Sequence, residues 1–246
     1  MNIPQTNDAL SFLTTAQMIE VDRLMIEDYG IHLARMMENA GRNLAHLARA
    51  RFLNGDPRGR LVVVLAGTGG NGGGALVCAR RLYSYGAQVQ VFTTKPVAAF
   101  APVAGQQLGI LCRMGVPVSS VQAIEQAEPP DLVIDGLIGY SLRSEPRGAA
   151  ATFIHCANTT GAPILALDTP SGVDATTGIA FEPAIRATAT MTLALPKAGL
   201  RAHGVEAWVG ELYLADIGVP PELYAEPTLG LTVGHVFATN DFVRLW

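Results

Sequence analysis

The chain has 246 residues, 49% hydrophobic and 15% charged, which excludes intrinsic disorder and allows one large α/β core. A formal net charge of −4, with no Lys or Arg run, argues against a nucleic-acid-binding role. Three cysteines without a CxxC pair argue against a disulfide framework or a structural zinc site and fit a reducing compartment.

Residues 1–11 are polar and lack the apolar core of a signal peptide. The longest apolar runs, such as Leu61 to Ala66, are too short to span a bilayer, so a soluble, cytoplasmic protein is expected. Thr14-Thr15-Ala16-Gln17 reads as a capping box that opens a first helix. Its apolar stripe is Met18, Val21, Leu24 and Met25, and Gly30 ends it. A second stripe, Leu33, Met36, Met37, Ala40, Leu44 and Leu47, predicts a second helix before any strand.

Leu61 to Leu65 is a continuous β-branched run, as expected of a strand buried on both faces. The glycine-rich segment Gly67 to Gly74 follows, then a helix over Leu76 to Tyr85 closed by Gly86. Further strands are predicted at Val89–Thr94, Pro117-Val118, Leu132–Ile134, Ile164–Leu167, Thr190–Leu195 and Glu211–Leu214. Helices are predicted at Ala104–Met114 and Ala149–Asn158. The alternation implies an α/β fold: a doubly wound, mostly parallel sheet with helices on both faces, preceded by two N-terminal helices. Residues 1–225 read as a single domain and residues 226–246 as an irregular tail.

Glycine at Gly69, Gly70, Gly72, Gly73 and Gly74 lets a backbone approach a ligand, and a following helix N-terminus favours phosphate. No Lys-Ser or Lys-Thr follows, which excludes a P-loop. No acid follows the second strand, which runs into Thr93-Thr94-Lys95-Pro96, so an NAD-dependent dehydrogenase is disfavoured. Asp135 and Asp168 each terminate an apolar strand, on the edge where open α/β sheets bind ligands. Asn71, Asp135 and Ser171 are hard oxygen donors, whereas no histidine pair has ligand spacing.

These segments resemble the NAD(P)H-hydrate epimerase family, the YjeF amino-terminal domain, from about Thr14 to Pro221. Met37-Glu38-Asn39-Ala40-Gly41 is similar to the family's M-E-N-A-G. The glycine segment resembles G-x-G-N-N-G-G-D-G, with Gly70, Gly74 and Ala75 in place of an asparagine, the aspartate and the last glycine. Asp135-Gly136-Leu137-Ile138-Gly139 resembles D-A-[IL]-[FL]-G, Asp168-Thr169-Pro170-Ser171-Gly172 resembles D-[IV]-P-S-G, and Pro196-Lys197-Ala198-Gly199 matches a late P-K-x-G. The resemblance implies a Rossmann-like fold, a homodimer and epimerisation of hydrated NADH or NADPH. It implies K+ on Asn71, Asp135 and Ser171, and Asp168 as the catalytic acid and base. Substrate contacts are expected from Gly69, Gly70, Asn71, Gly72, Gly73 and Gly74, from Gly139, Tyr140, Ser141, Leu142 and Arg143, and from Asp168. A hydrate dehydratase on a separate chain is the expected functional partner. The competing reading is a non-catalytic nucleotide-binding or interaction module on the same fold.

Overall fold

A computed structural model describes residues 3–6 and 10–246, so the reading of residues 1–11 lies partly outside the described residues. The first helix, α1, spans Thr15–Arg23. Its capping box forms: the Thr14 hydroxyl accepts from the Gln17 amide, and Gln17 Oε1 accepts from the Thr14 amide at 2.9 Å. Helix α2, Leu33–Leu47, buries Met36, Met37, Ala40 and Leu44, the stripe read from its spacing.

Strand β1 is Leu61–Ala66, buried throughout. Helix α3, Gly70–Ser84, leads to β2, Gln88–Thr93. Helix α4, Pro102–Arg113, precedes a short β3, Val118–Ser119. Then come β4 (Leu132–Gly136), α5 (Ala149–Thr159), β5 (Ile164–Leu167) and β6 (Ala189–Leu193). A short α6, Glu206–Val209, β7, Glu211–Ala215, a short α7, Pro221–Tyr224, and β8, Phe242–Arg244, complete the chain.

All eight strands form one sheet in the order β3-β2-β1-β4-β5-β6-β7-β8. Strands β1 to β7 pair in parallel and β8 is antiparallel to β7. Alternation along β1 divides the core. Val62, Val64 and Ala66 pack with α2, α3 and α4 through Leu44, Leu76 and Leu108. Val63 and Leu65 pack on the other face against Phe153, Ile154 and Ala157 of α5. Both faces of β1 are covered, and so its run is apolar without interruption. The chain winds one way from β1 through β2 to β3 and the other way from β4, so the switch point lies between β1 and β4.

Two expectations are corrected. Helix α3 begins at Gly70, not Leu76, so Gly72, Gly73 and Gly74 are helical. Glycine costs about 1 kcal/mol per helical position relative to alanine. Tertiary packing overrides that cost here, because side chains would not fit. A Cβ on Gly72 would lie 1.9 Å from the Gly67 carbonyl oxygen, and one on Gly73 2.6 Å from Met37 Sδ. The tail is not irregular to its end. Residues 226–241 carry no helix or strand, but Phe242 and Val243 bury themselves and pair with the free edge of β7. Covering an open edge removes unpaired backbone groups.

Candidate active site

Asp168 follows the last residue of β5 and is 3% exposed. Its φ is +68°, a left-handed conformation uncommon outside glycine. The Asp168 amide donates to the Met191 carbonyl of β6 at 2.7 Å, which holds the residue in place. Oδ2 accepts from the Tyr140 amide at 3.2 Å. Oδ1 forms an ion pair with Lys197 Nζ. Lys197 has no exposed surface, and its ammonium also donates to the Leu193 carbonyl at 2.7 Å. Its backbone is clamped by a bridge to Leu13, just before α1. A lysine on its own would not remain charged in such a place; the neighbouring carboxylate makes the burial tolerable.

Asp135, in β4, is fully enclosed. Its carboxylate accepts from the Leu137 amide (3.1 Å), the Ser171 amide (2.8 Å) and the Ser171 hydroxyl (2.6 Å). Ser171 in turn accepts from the Ile138 amide at 2.9 Å. Burial raises the Asp135 carboxyl to about 6, against the lowering effect of those hydrogen bonds. Among the described residues no cationic side chain offsets it. Asn71 sits on the first turn of α3. A Cβ on Gly139 would lie 3.1 Å from Asn71 Oδ1 and 3.2 Å from Asp168 Oδ2, so these groups meet across that glycine. A buried carboxylate bonded to a hydroxyl and without a protein cation is an all-oxygen pair of the kind a hard cation takes, and Asn71 brings a further amide oxygen to the Asp168 side of Gly139.

Above these groups lies a cavity of about 290 Å³. Gly70, Asn71, Gly74, Gly139, Tyr140, Ser141 and Asp168 line it. The other predicted contacts do not. Gly69 is the N-cap of α3, Gly72 and Gly73 serve close packing, Leu142 is buried, and Arg143 is exposed. Asp135 and Ser171 lie beneath the loop 137–139 rather than on the cavity wall. No side chain caps the start of α3, so its first amides are left for a ligand anion. The arrangement can hold a phosphate-bearing molecule at α3 and present its far end to a buried proton donor and acceptor.

The sequence profile described as "YjeF-related protein N-terminus" matches residues 33–199. The chain belongs to this family. Among its relatives is the NAD(P)H-hydrate epimerase of Dehalogenimonas lykanthroporepellens, 42% identical over 90% of this chain and 87% of that protein. The bifunctional NAD(P)H-hydrate repair enzyme Nnr of Moorella thermoacetica is 34% identical over 87% of this chain, which spans only 41% of its length. The crystal structure of yeast ynu0 superposes with a TM-score of 0.79 at 25% identity, covering 96% of this chain and all of that one.

In this YjeF-related chain the cavity has walls that sequence reasoning missed. Met18 and Asp22 from α1, Met36 and Met37 from α2, and Lys197 all face it. A lysine at 197 reads from sequence equally well as a solvated surface residue; the structure buries it completely. The signal for Asp22 was present in its helical spacing. It lies four residues after Met18, hence on the buried face of α1, where an acid has no packing reason to be. Among the described residues no helix is long and apolar enough to cross a membrane.

Proposed function

We propose that this chain is an NAD(P)H-hydrate epimerase, an isomerase that interconverts the R and S forms of hydrated NADH and NADPH. The observation that carries the reading is the buried Asp168–Lys197 pair on the wall of a cavity that also opens onto an uncapped helix N-terminus. The 42% identity to a protein of that name supports it.

The hydrate bears a hydroxyl on a ring carbon next to nitrogen. The α3 amides bind its phosphate, and Gly70 and Gly74 leave the backbone bare for close approach. The proton held by the Asp168–Lys197 pair, supplied by the ammonium and relayed by the carboxylate, passes to the departing hydroxyl, and the ring nitrogen supports the resulting cation. The Tyr140 amide fixes the Asp168 carboxylate in orientation. The apolar wall of Met18, Met36 and Met37 limits bulk water.

Potassium fits the same reading, with Asn71, Asp135 and Ser171 to hold it. When bound, it would supply positive charge next to Asp135 and keep the loop 137–139 seated. Replacing potassium by choline at constant ionic strength is expected to lower the Tm, since an ion that binds only the native state stabilises it. It is also expected to slow epimerisation. Equal Tm and rate in both salts would remove the ion from this account. A homodimer and a functional link to a hydrate dehydratase complete the proposal; light scattering at the mass of two chains checks the first.

The deciding experiment supplies a purified hydrate epimer and follows the appearance of the other. Interconversion well above the enzyme-free rate is expected. Tight binding of the hydrate without interconversion would instead favour the non-catalytic module.

A further inference from the structure

A second carboxylate lines the cavity and is not used by the mechanism above. Asp22 comes from α1, a different element from those that carry Asp168 and Lys197. Tyr140 connects the two acids. Its main-chain amide donates to Asp168 Oδ2 at 3.2 Å, and its phenol donates to Asp22 Oδ2. The two carboxylates therefore sit at opposite ends of one tyrosine. Both Asp22 and Tyr140 line the cavity.

Inversion at a ring carbon poses a geometric problem. The hydroxyl leaves from one face of the ring and water must return on the other. A general acid or base acts only within hydrogen-bond reach, about 2.6–3.2 Å. A ring held by its nucleotide arm at α3 and in one orientation about its glycosidic bond presents one face to Asp168, and a single carboxylate then reaches only that face.

We propose that Tyr140, backed by Asp22, is the second proton-transfer group of the epimerase and serves the ring face opposite Asp168. The inference rests on the epimerase reading. In one direction, the proton held between Asp168 and Lys197 passes to the hydroxyl oxygen. The carbon–oxygen bond breaks with its electrons on oxygen, water departs, and the nitrogen lone pair forms the carbon–nitrogen double bond. A water on the opposite face then adds to carbon, and the nitrogen recovers its pair. The proton released by that water passes to the Tyr140 oxygen as Tyr140 gives its own to Asp22. The net change in the protein is one proton moved from the Asp168–Lys197 pair to Asp22, and the reverse turnover returns it. Burial holds the Asp22 carboxyl above its ordinary range, with the Tyr140 hydrogen bond and the Lys197 charge acting the other way. That environment favours a carboxylate able to accept a proton. Tyr140 is thus a catalytic residue in contact with the reacting water, and Asp22 a positioning residue acting through it.

The test uses each purified epimer in oxygen-18 water with the unaltered chain and with Tyr140→Phe and Asp22→Asn. Two quantities are read after subtraction of the enzyme-free rate: label entering the starting epimer, and formation of the opposite one. Tyr140→Phe keeps the ring and the amide bonded to Asp168, so the cavity wall is preserved if the Tm is unchanged. Inversion is expected to fall by about 100-fold or more, the usual scale of a lost general acid or base. For one of the two epimers, the one whose hydroxyl faces Asp168, label exchange should persist while inversion is lost. Parallel loss of exchange and inversion for both epimers would overturn the proposal, as would unchanged inversion in either variant. A wild-type chain that neither exchanges nor inverts fails the epimerase reading itself, and that result is visible before any variant is made.

Discussion

Asp168→Asn is expected to abolish measurable epimerisation and to lower the Tm at the same time. The rate loss should reach about 100-fold to 10⁴-fold, the range for a general acid or base. An acid at the end of a strand contributes little to a core when viewed from sequence alone, and such a variant would be expected to fold normally. The structure reverses that expectation. Lys197 is wholly buried and its ammonium is paired with Asp168. Neutralising one member of a buried pair leaves the other charge without compensation, at a cost of about 3–5 kcal/mol. For a chain of this size that is roughly a 10 °C fall in Tm. Asparagine tolerates the left-handed backbone at φ +68°, so strain is not the cause. The double variant Asp168→Asn with Lys197→Met separates the two effects. It should recover most of the Tm while remaining inactive, because a neutral pair needs no compensation. Calorimetry and the epimer assay on the three proteins check this. A single variant with wild-type Tm would show that the burial of Lys197 does not depend on Asp168.

Gly72→Ala should be the most damaging of the conservative changes in the glycine segment. The added Cβ would lie 1.9 Å from the Gly67 carbonyl oxygen and 2.6 Å from its carbon. Both are main-chain atoms at the exit of β1, and no side-chain rotation relieves them. The end of the strand and the first turn of α3 would have to separate, at a cost of about 3 kcal/mol, the upper end for overpacking. Gly70→Ala provides the contrast. Nothing lies within 4 Å of its Cβ position, and its backbone is not left-handed. Alanine there should be neutral or stabilise by up to about 1 kcal/mol. Denaturant unfolding of the two variants reads the difference directly. The absence of a second asparagine at position 70 therefore carries no folding penalty. At position 74 the case is tighter, since a Cβ would sit 2.9 Å from the Leu167 Cδ2 methyl. Gly74→Asp is expected to shift that methyl and destabilise the chain by about 1–2 kcal/mol; the same unfolding measurement tests it.

The first seven strands and two of the three acids around the site were legible in the residues. Leu61 to Leu65, Leu132 to Ile134 and Ile164 to Leu167 are unbroken apolar runs because a parallel strand covered on both faces admits no polar side chain. Asp135 and Asp168 stood out for the same reason: each interrupts or ends such a run where the sheet meets its crevice. The helical extent of the glycine segment was not legible, since propensity opposes helix there and only the crowding at Gly67, Met37 and Leu167 requires residues without side chains. The pairing of β8 with β7 was also hidden, because three residues carry too little periodicity to mark a strand. Above all, sequence could not show that Lys197 is buried or that Asp22 faces the same cavity. Helical spacing marks Asp22 as an acid on an apolar face, but its role, like that of Lys197, exists only because packing brings α1 and the segments after β5 and β6 into one wall. Local patterns report which face of an element is apolar; which elements then share a cavity is decided by how the sheet and its helices pack.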